Sequence, residues 1–228
     1  MRRPPSRSLA KRLWYGFLQL VCRLLATLLF QIRISGRDLV PREGGVMVLS
    51  NHQSHFDPVL IGLACDRRLN YLARDTLFGF APFRWLIRSL DAIPLDREGL
   101  GLAGLKETLR RLKAGEPVLI FPEGTRTQDG EVAPLKPGFS ALARRANVPL
   151  LPVGIEGAYH AWPRRRLLPG TGTIHIQFGE PLSSEAAAAY DERRLVEEIE
   201  RRIRACHKLA RESRRRQVED GLPRPSRK

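Results

Sequence analysis

The first strong pattern runs from Leu13 to Ile32, LWYGFLQLVCRLLATLLFQI, where almost every position is apolar. The polar and small positions Arg12, Gly16, Gln19, Arg23 and Thr27 are spaced 4, 3, 4 and 4 residues apart. At about 100° per residue that spacing collects them on one narrow stripe of a helix. A helix of this length can span a bilayer, lie at its surface with the stripe towards headgroups, or pack on the protein's own core. Arg23 opposes a free lipid span by about 2.5–3.5 kcal/mol. A cleaved signal peptide is not indicated, because no small-residue cleavage site follows.

Beyond it the period switches repeatedly between two and 3.6. Short apolar, β-rich runs predict strands at 32–36, within 44–52, and at 70–74, 92–95, 117–124, 149–157 and 173–179. Between them, helical spacing predicts helices over 57–68, 82–90, 101–115 and 137–148. A last helix should start near Ser184 and dock through Leu195, Ile199, Ile203, Cys206 and Leu209 or Ala210. This alternation predicts an α/β fold: a largely parallel mixed sheet flanked by helices, preceded by an N-terminal amphipathic membrane-associating helix. Three regions follow: 1–34 as basic arm and membrane helix, 35–182 as the α/β domain, and 183–228 as C-terminal helix and basic tail. The tail GLPRPSRK is expected to be disordered.

Charge sharpens this division. The net charge of +15 is concentrated at the ends: residues 1–12 carry five Lys/Arg and no acid, and residues 201–228 carry eleven against three. Only +2 remains on 13–200. A nearly neutral core between basic arms suits an anionic membrane surface, and the core lacks a nucleic-acid reading motif. Cys22, Cys65 and Cys206 have no metal-type spacing and are odd in number, which is unsuited to a disulfide framework and reads as three small buried residues. The loop WPRRRLLPGTG (162–172) is either a solvated connection or a second edge for anionic lipid.

Three polar clusters each follow an apolar strand: NHQSHFD (51–57), Asp96-Arg97, and PEGTRT (122–127). In a largely parallel sheet the carboxyl ends of strands share one edge, where open α/β folds bind ligands. His52 and Asp57 stand in a His-x4-Asp arrangement across a strand-to-helix junction. A turn there can set the carboxylate on one ring nitrogen, leaving the other to take a proton; alternatively, Asp57 only caps its helix. His55 lacks a carboxylate at the matching offset. No Gly-x-Ser-x-Gly elbow occurs, so a base–orienter pair without its own nucleophile suits a substrate hydroxyl. Arg126 offers a planar fork for phosphate, and Arg97 and Lys136 further positive charge. Gly124 and Thr125 lie in the turn, and Glu123 either binds a polyol hydroxyl or pairs with an arginine.

NHQSHFD, IPLDR, FPEGTRT and VPLLPV, in that order, resemble the four signature blocks of the glycerolipid acyltransferases, particularly bacterial 1-acyl-glycerol-3-phosphate (lysophosphatidic acid) acyltransferases. The resemblance covers roughly residues 35–182 and ends at GEPL (179–182). It implies that His52 and Asp57 are the catalytic dyad. It also implies that Arg97, Glu123, Gly124, Thr125 and Arg126 bind glycerol phosphate, and that 148–153 lines the acyl site. The chain departs from the family in carrying Asp91 where a small residue is usual, and Pro94 within the IPLDR strand.

The expected activity is transfer of a fatty acyl group from acyl-coenzyme A or acyl carrier protein to the free hydroxyl of lysophosphatidic acid, giving phosphatidic acid. The thioester is a co-substrate; neither a bound cofactor nor a metal is implied. Other lyso- or hydroxy-lipids are alternative acceptors, and a non-catalytic peripheral lipid-binding protein is the alternative of another class. The expected partners are anionic membrane lipids and no nucleic acid, and the expected location is the cytoplasmic face of the cell membrane, monotopic or peripheral.

Overall fold

A computed structural model describes residues 9–74, 93–95, 102–163, 166 and 168–221 of the chain. The helix expected over 82–90, Asp91, Arg97 and residues 222–228 lie outside the described residues.

The strands are β1 (Phe30–Ser35), β2 (Val46–Ser50), β3 (Asn70–Arg74), β4 (Ile93–Leu95), β5 (Pro117–Ile120), β6 (Leu150–Glu156) and β7 (Gly172–Phe178). They form one seven-stranded sheet in the order β1-β7-β6-β2-β5-β3-β4. All neighbours are parallel except β6 and β7. The carboxyl ends of β2, β5 and β6 therefore share an edge with the amino ends of β1 and β7. The helices are α1 (Leu9–Leu29), α2 (Asp57–Ala64), α3 (Leu102–Lys113), α4 (Gly138–Ala146), α5 (Ala158–Ala161), α6 (Ser184–Ala188) and α7 (Glu192–Gly221).

Central strand β2 is buried along its whole length, as a parallel strand covered on both faces must be. Val46 and Val48 enter a core with Leu60, Ile61, Val153, Ile155, Ile174 and Ile176. Met47 and Leu49 point the other way, against Leu112, Phe139, Leu142, Leu195, Ile199 and Ile203. Helices α1 and α2 cover the first face, and α3, α4 and α7 the second.

Three boundaries differ from the sequence reading. The first helix ends at Leu29, because Phe30 already pairs with Gly172 as the start of β1; the division drawn at 34/35 falls inside that strand. The single final helix is two helices. Ser183 caps α6 by accepting the Ala186 N–H at 3.2 Å, and Asp191 Oδ1 accepts the Arg194 N–H at 2.8 Å to start α7 afresh. The short helix α5, between β6 and the loop at 162–171, has no counterpart in the sequence reading. On α7 the docking face is Leu195, Ile199, Ile203, Cys206 and Ala210, while Leu209 is half exposed.

Helix α7 approaches β6 so closely that a Cβ on Gly154 would sit 2.2 Å from the His207 nitrogen and 2.4 Å from the Cys206 carbonyl carbon. Backbone cannot yield as a side-chain tip can. Gly154→Ala should destabilise the fold by about 3 kcal/mol, the upper range for overpacking. Urea unfolding reads this directly; a loss below 1 kcal/mol would mean that α7 is free to move off the sheet.

Helix α1 buries Ala26 and leaves Leu13, Phe17, Leu20, Leu24, Leu25 and Leu28 exposed. Gly16, Arg23 and Thr27 of the polar stripe are exposed beside them. Among the described residues, no helix is long and apolar enough to cross a membrane.

Candidate active site

β2 delivers the chain to the sheet edge at Ser50, and Asn51 pins it there. Asn51 Nδ2 donates to the Ile155 carbonyl at 2.9 Å, and its Oδ1 accepts the Ile155 N–H at 2.8 Å. This reciprocal pair locks the start of the loop to β6. The loop then turns through residues 52–56 into α2, whose first residue is Asp57.

The turn brings the Asp57 carboxylate back onto the loop. Its Oδ2 lies 2.8 Å from His52 Nδ1 and accepts the backbone N–H groups of Gln53 at 2.5 Å and Ser54 at 2.7 Å. Asp57 is fully buried, whereas the His52 side chain keeps 18% of its surface exposed. Asp57 thus faces back to the loop amides, and its orientation is not that of a helix cap. With Nδ1 donating to the carboxylate, Nε2 is the nitrogen left to accept a proton. The carboxylate fixes that tautomer and stabilises the imidazolium that follows.

The FPEGTRT segment wraps the same histidine. Phe121 stacks on the His52 ring at 3.9 Å between centroids with 16° between planes. Glu123 Oε1 accepts the His52 N–H at 2.8 Å, and the Thr127 N–H donates to the His52 carbonyl at 2.8 Å. Glu123 Oε2 takes the Ala133 N–H at 3.1 Å. Both Glu123 oxygens are therefore committed to backbone, and the side chain is buried. Its geometry is that of a clamp on the His52 main chain.

Around this clamp the remaining sequence candidates spread outward. Gly124 takes a left-handed φ of 72° and is exposed with Thr125. Lys136 arches over Gly124: a Cβ there would meet its Nζ at 3.0 Å. Arg126 is half-buried. His55 lies against Trp162, 5.2 Å between ring centroids. Neither nearby serine is placed as a nucleophile, since the Ser54 hydroxyl donates to the Trp162 carbonyl at 2.9 Å and that of Ser50 to the Asn51 carbonyl at 3.0 Å. The sequence reading missed Phe121 and Trp162. Phe121 stands next to the polar block, but nothing in a single apolar residue distinguishes a ring stacked on the base from core.

Burial pushes the Glu123 carboxyl up to about 7, against the pull of the His52 and Ala133 amides. The folded chain therefore holds this proton more tightly than the unfolded chain, where the value is 4.5. The resulting stabilisation is fully present below the unfolded value and is lost as pH rises through the folded one. The stability advantage of wild type over Glu123→Gln should fall by about 3 kcal/mol between about pH 4.5 and 8. Urea titrations at each pH give that difference; a flat difference would remove the titration from Glu123.

The arrangement has the geometry that a general base needs, with a buried carboxylate on the histidine and a clamped main chain. The family model described as Acyltransferase matches residues 31–156. A 1-acyl-sn-glycerol-3-phosphate acyltransferase of Pseudomonas aeruginosa is 30% identical over 84% of this chain and 72% of its own length. That of Bacillus subtilis is 28% identical over 74% of this chain and 82% of its own length. The crystal structure of the 1-acyl-sn-glycerophosphate (LPA) acyltransferase PlsC from Thermotoga maritima superimposes with a TM-score of 0.73 at 26% identity, covering 98% of this chain and 86% of that one. A fold, a matched segment that holds both His52 and Asp57, and relatives aligned over most of their length agree, and the chain belongs to the acyltransferase family.

Proposed function

We propose that this enzyme transfers a fatty acyl group from the thioester of coenzyme A or acyl carrier protein to the free hydroxyl of 1-acyl-glycerol-3-phosphate at a membrane surface. The observation that carries the reading is the 2.8 Å contact between His52 Nδ1 and a fully buried Asp57, with Nε2 left for a substrate proton. The names of the aligned relatives supply the acceptor.

His52 Nε2 removes the proton from the acceptor hydroxyl, whose oxygen attacks the thioester carbonyl. The tetrahedral oxyanion collapses, the carbon–sulfur bond breaks, and the imidazolium returns the proton to the leaving thiolate. General-base assistance of this kind contributes about 10²–10⁴-fold. Asp57 stabilises the imidazolium through the intermediate step, and Phe121 packs flat against the ring. Gly124, Thr125, Arg126 and Lys136 are assigned to the acceptor phosphate, with Arg97 as a further cation; Glu123 serves the site by holding the His52 main chain. The exposed leucines of α1 and the basic ends of the chain support attachment to an anionic membrane face, the cytoplasmic one by this reading.

The test is incubation of the full chain with vesicles, labelled acyl-coenzyme A or acyl carrier protein, and lyso-lipids differing in headgroup, with products identified by mass. Phosphatidic acid should dominate. For that acceptor, Arg126→Ala should raise KM about 10-fold or more, as loss of a charged hydrogen bond requires, and Arg126→Lys should recover only part. Preferential acylation of a lyso-lipid without a terminal phosphate would overturn the acceptor assignment. Release of free fatty acid alone would overturn acyl transfer to a lipid.

A further inference from the structure

Behind the His52–Asp57 pair, a second polar cluster is buried where only apolar contacts would be needed for packing. Gln53, Glu156 at the end of β6 and His207 on α7 are each at least 95% buried. The Gln53 side-chain amide donates to the Gly130 carbonyl at 2.7 Å and to Glu156 Oε2 at 3.3 Å, while its oxygen accepts the Tyr159 N–H at 3.2 Å. Glu156 Oε2 also lies 2.7 Å from His207 Nε2. That short contact places a proton on Nε2, so the 3.3 Å approach of the Gln53 amide nitrogen to the same atom is contact between two donors and not a bond. Arg211 and Arg214, one and two turns further along α7, approach Glu156 at 3.5 and 3.8 Å. Burial raises the Glu156 carboxyl, but the hydrogen bond and charge of His207 and the charge of Arg211 outweigh it and hold it below its ordinary value.

Gln53 is the residue directly after the catalytic base, and its own backbone N–H donates to Asp57 Oδ2. One residue thus touches the orienting carboxylate with its main chain and three other segments with its side chain. Those segments are the loop after FPEGTRT, the end of β6 and the start of α5. Only an amide supplies two donors and an acceptor at that point; glutamate lacks the donors, and methionine lacks them too and offers only a weak sulfur acceptor. The cluster is anchored from α7, which belongs to none of the four sequence blocks. Its backbone is fixed on β6 by the close approach at Gly154.

We infer that Gln53, Glu156 and His207 form a positioning unit through which the C-terminal helix sets the His52–Asp57 pair in register with the FPEGTRT clamp. None of the three touches the reacting atoms. Loss of the unit displaces the base from the acceptor hydroxyl, and a displacement near 1 Å costs about 10²-fold in rate. The effect falls on kcat, because the residues assigned to the acceptor phosphate lie elsewhere.

The inference rests on His52 and Asp57 being the catalytic pair. Kinetics of the full-length enzyme on acyl-coenzyme A and 1-acyl-glycerol-3-phosphate test it, with kcat referred to the folded fraction seen by circular dichroism. Gln53→Met and His207→Leu should each lower kcat 10- to 100-fold with both KM values within threefold. His207→Gln, whose amide can still donate to Glu156, should recover at least half of the logarithmic loss. A folded His207→Leu enzyme with wild-type kcat and only a lowered melting temperature would overturn the proposal. Should His207→Leu not fold, Gln53→Met decides, since it leaves the His207–Glu156 pair in place; wild-type kcat there is equally fatal. Inactive His52→Ala beside fully active Gln53→Met removes only the positioning unit. Active His52→Ala removes the dyad itself.

Discussion

Replacing His52 by alanine should lower kcat by about 10²–10⁴-fold without unfolding the chain, because the ring is only partly buried and its main-chain bonds do not depend on the side chain. Asp57→Ala should be as damaging to catalysis and worse for stability. It removes the acceptor that serves His52 Nδ1 and the Gln53 and Ser54 amides together, leaving buried donors unpaired. Asp57→Asn separates the two effects: its amide oxygen can still accept, but the imidazolium loses its counter-charge. The two side chains act as a unit, so His52→Ala combined with Asp57→Ala should be little slower than His52→Ala alone. Additive losses would show that Asp57 contributes to rate independently of the histidine. Wild-type turnover in His52→Ala would remove the general base from the mechanism.

The sequence carried the fold further than it carried the site. Parallel strands buried on both faces leave continuous apolar runs, and β2, β5 and β6 were legible for that reason. Period alone could not separate α1 from β1, since Phe30 and Ile32 continue the apolar positions of the helix and only pairing with β7 makes them strand. The reversal between β6 and β7 likewise arises from pairing partners 19 to 25 residues apart, which local patterns do not encode. At the site, His-x4-Asp was readable because six consecutive residues contain the whole turn. Glu123 was readable as important but not as a clamp: its two partners are backbone amides at His52 and Ala133, and amides are invisible to residue-type reasoning. Gln53, Glu156 and His207 are separated by 103 and 51 positions and meet only once α7 lies on the sheet.

Stripping three leucines from α1 should detach the enzyme from vesicles. Leu13, Phe17, Leu20, Leu24 and Leu28 repeat at helical spacing one position after the polar line of Arg12, Gly16, Gln19, Arg23 and Thr27. The two lines run side by side, and the structure leaves Leu28 78% exposed and Arg23 exposed. Such an arc suits a helix lying in the headgroup region, leucines down and Arg23 level with phosphates. Its C-terminal end stands at the sheet edge that carries His52, because β1 and β7 begin there, and Phe30 packs edge-on against Phe56 of the His52 loop at 5.6 Å. A lipid acceptor would thus be met where the base is held. Each half-buried leucine entering lipid is worth about 1.5 kcal/mol, the low end for an aliphatic side chain. Leu20→Ser, Leu24→Ser and Leu28→Ser together should therefore weaken partitioning by about 10³-fold. Sedimentation with vesicles of mixed anionic and zwitterionic phospholipid reads this, and activity on detergent-dispersed acceptor should survive. High salt alone should release little wild-type protein, since screening weakens the basic arms and not the leucines. Arg23→Leu should bind as well as wild type or better. Undiminished sedimentation of the triple variant would place the membrane contact elsewhere on the molecule.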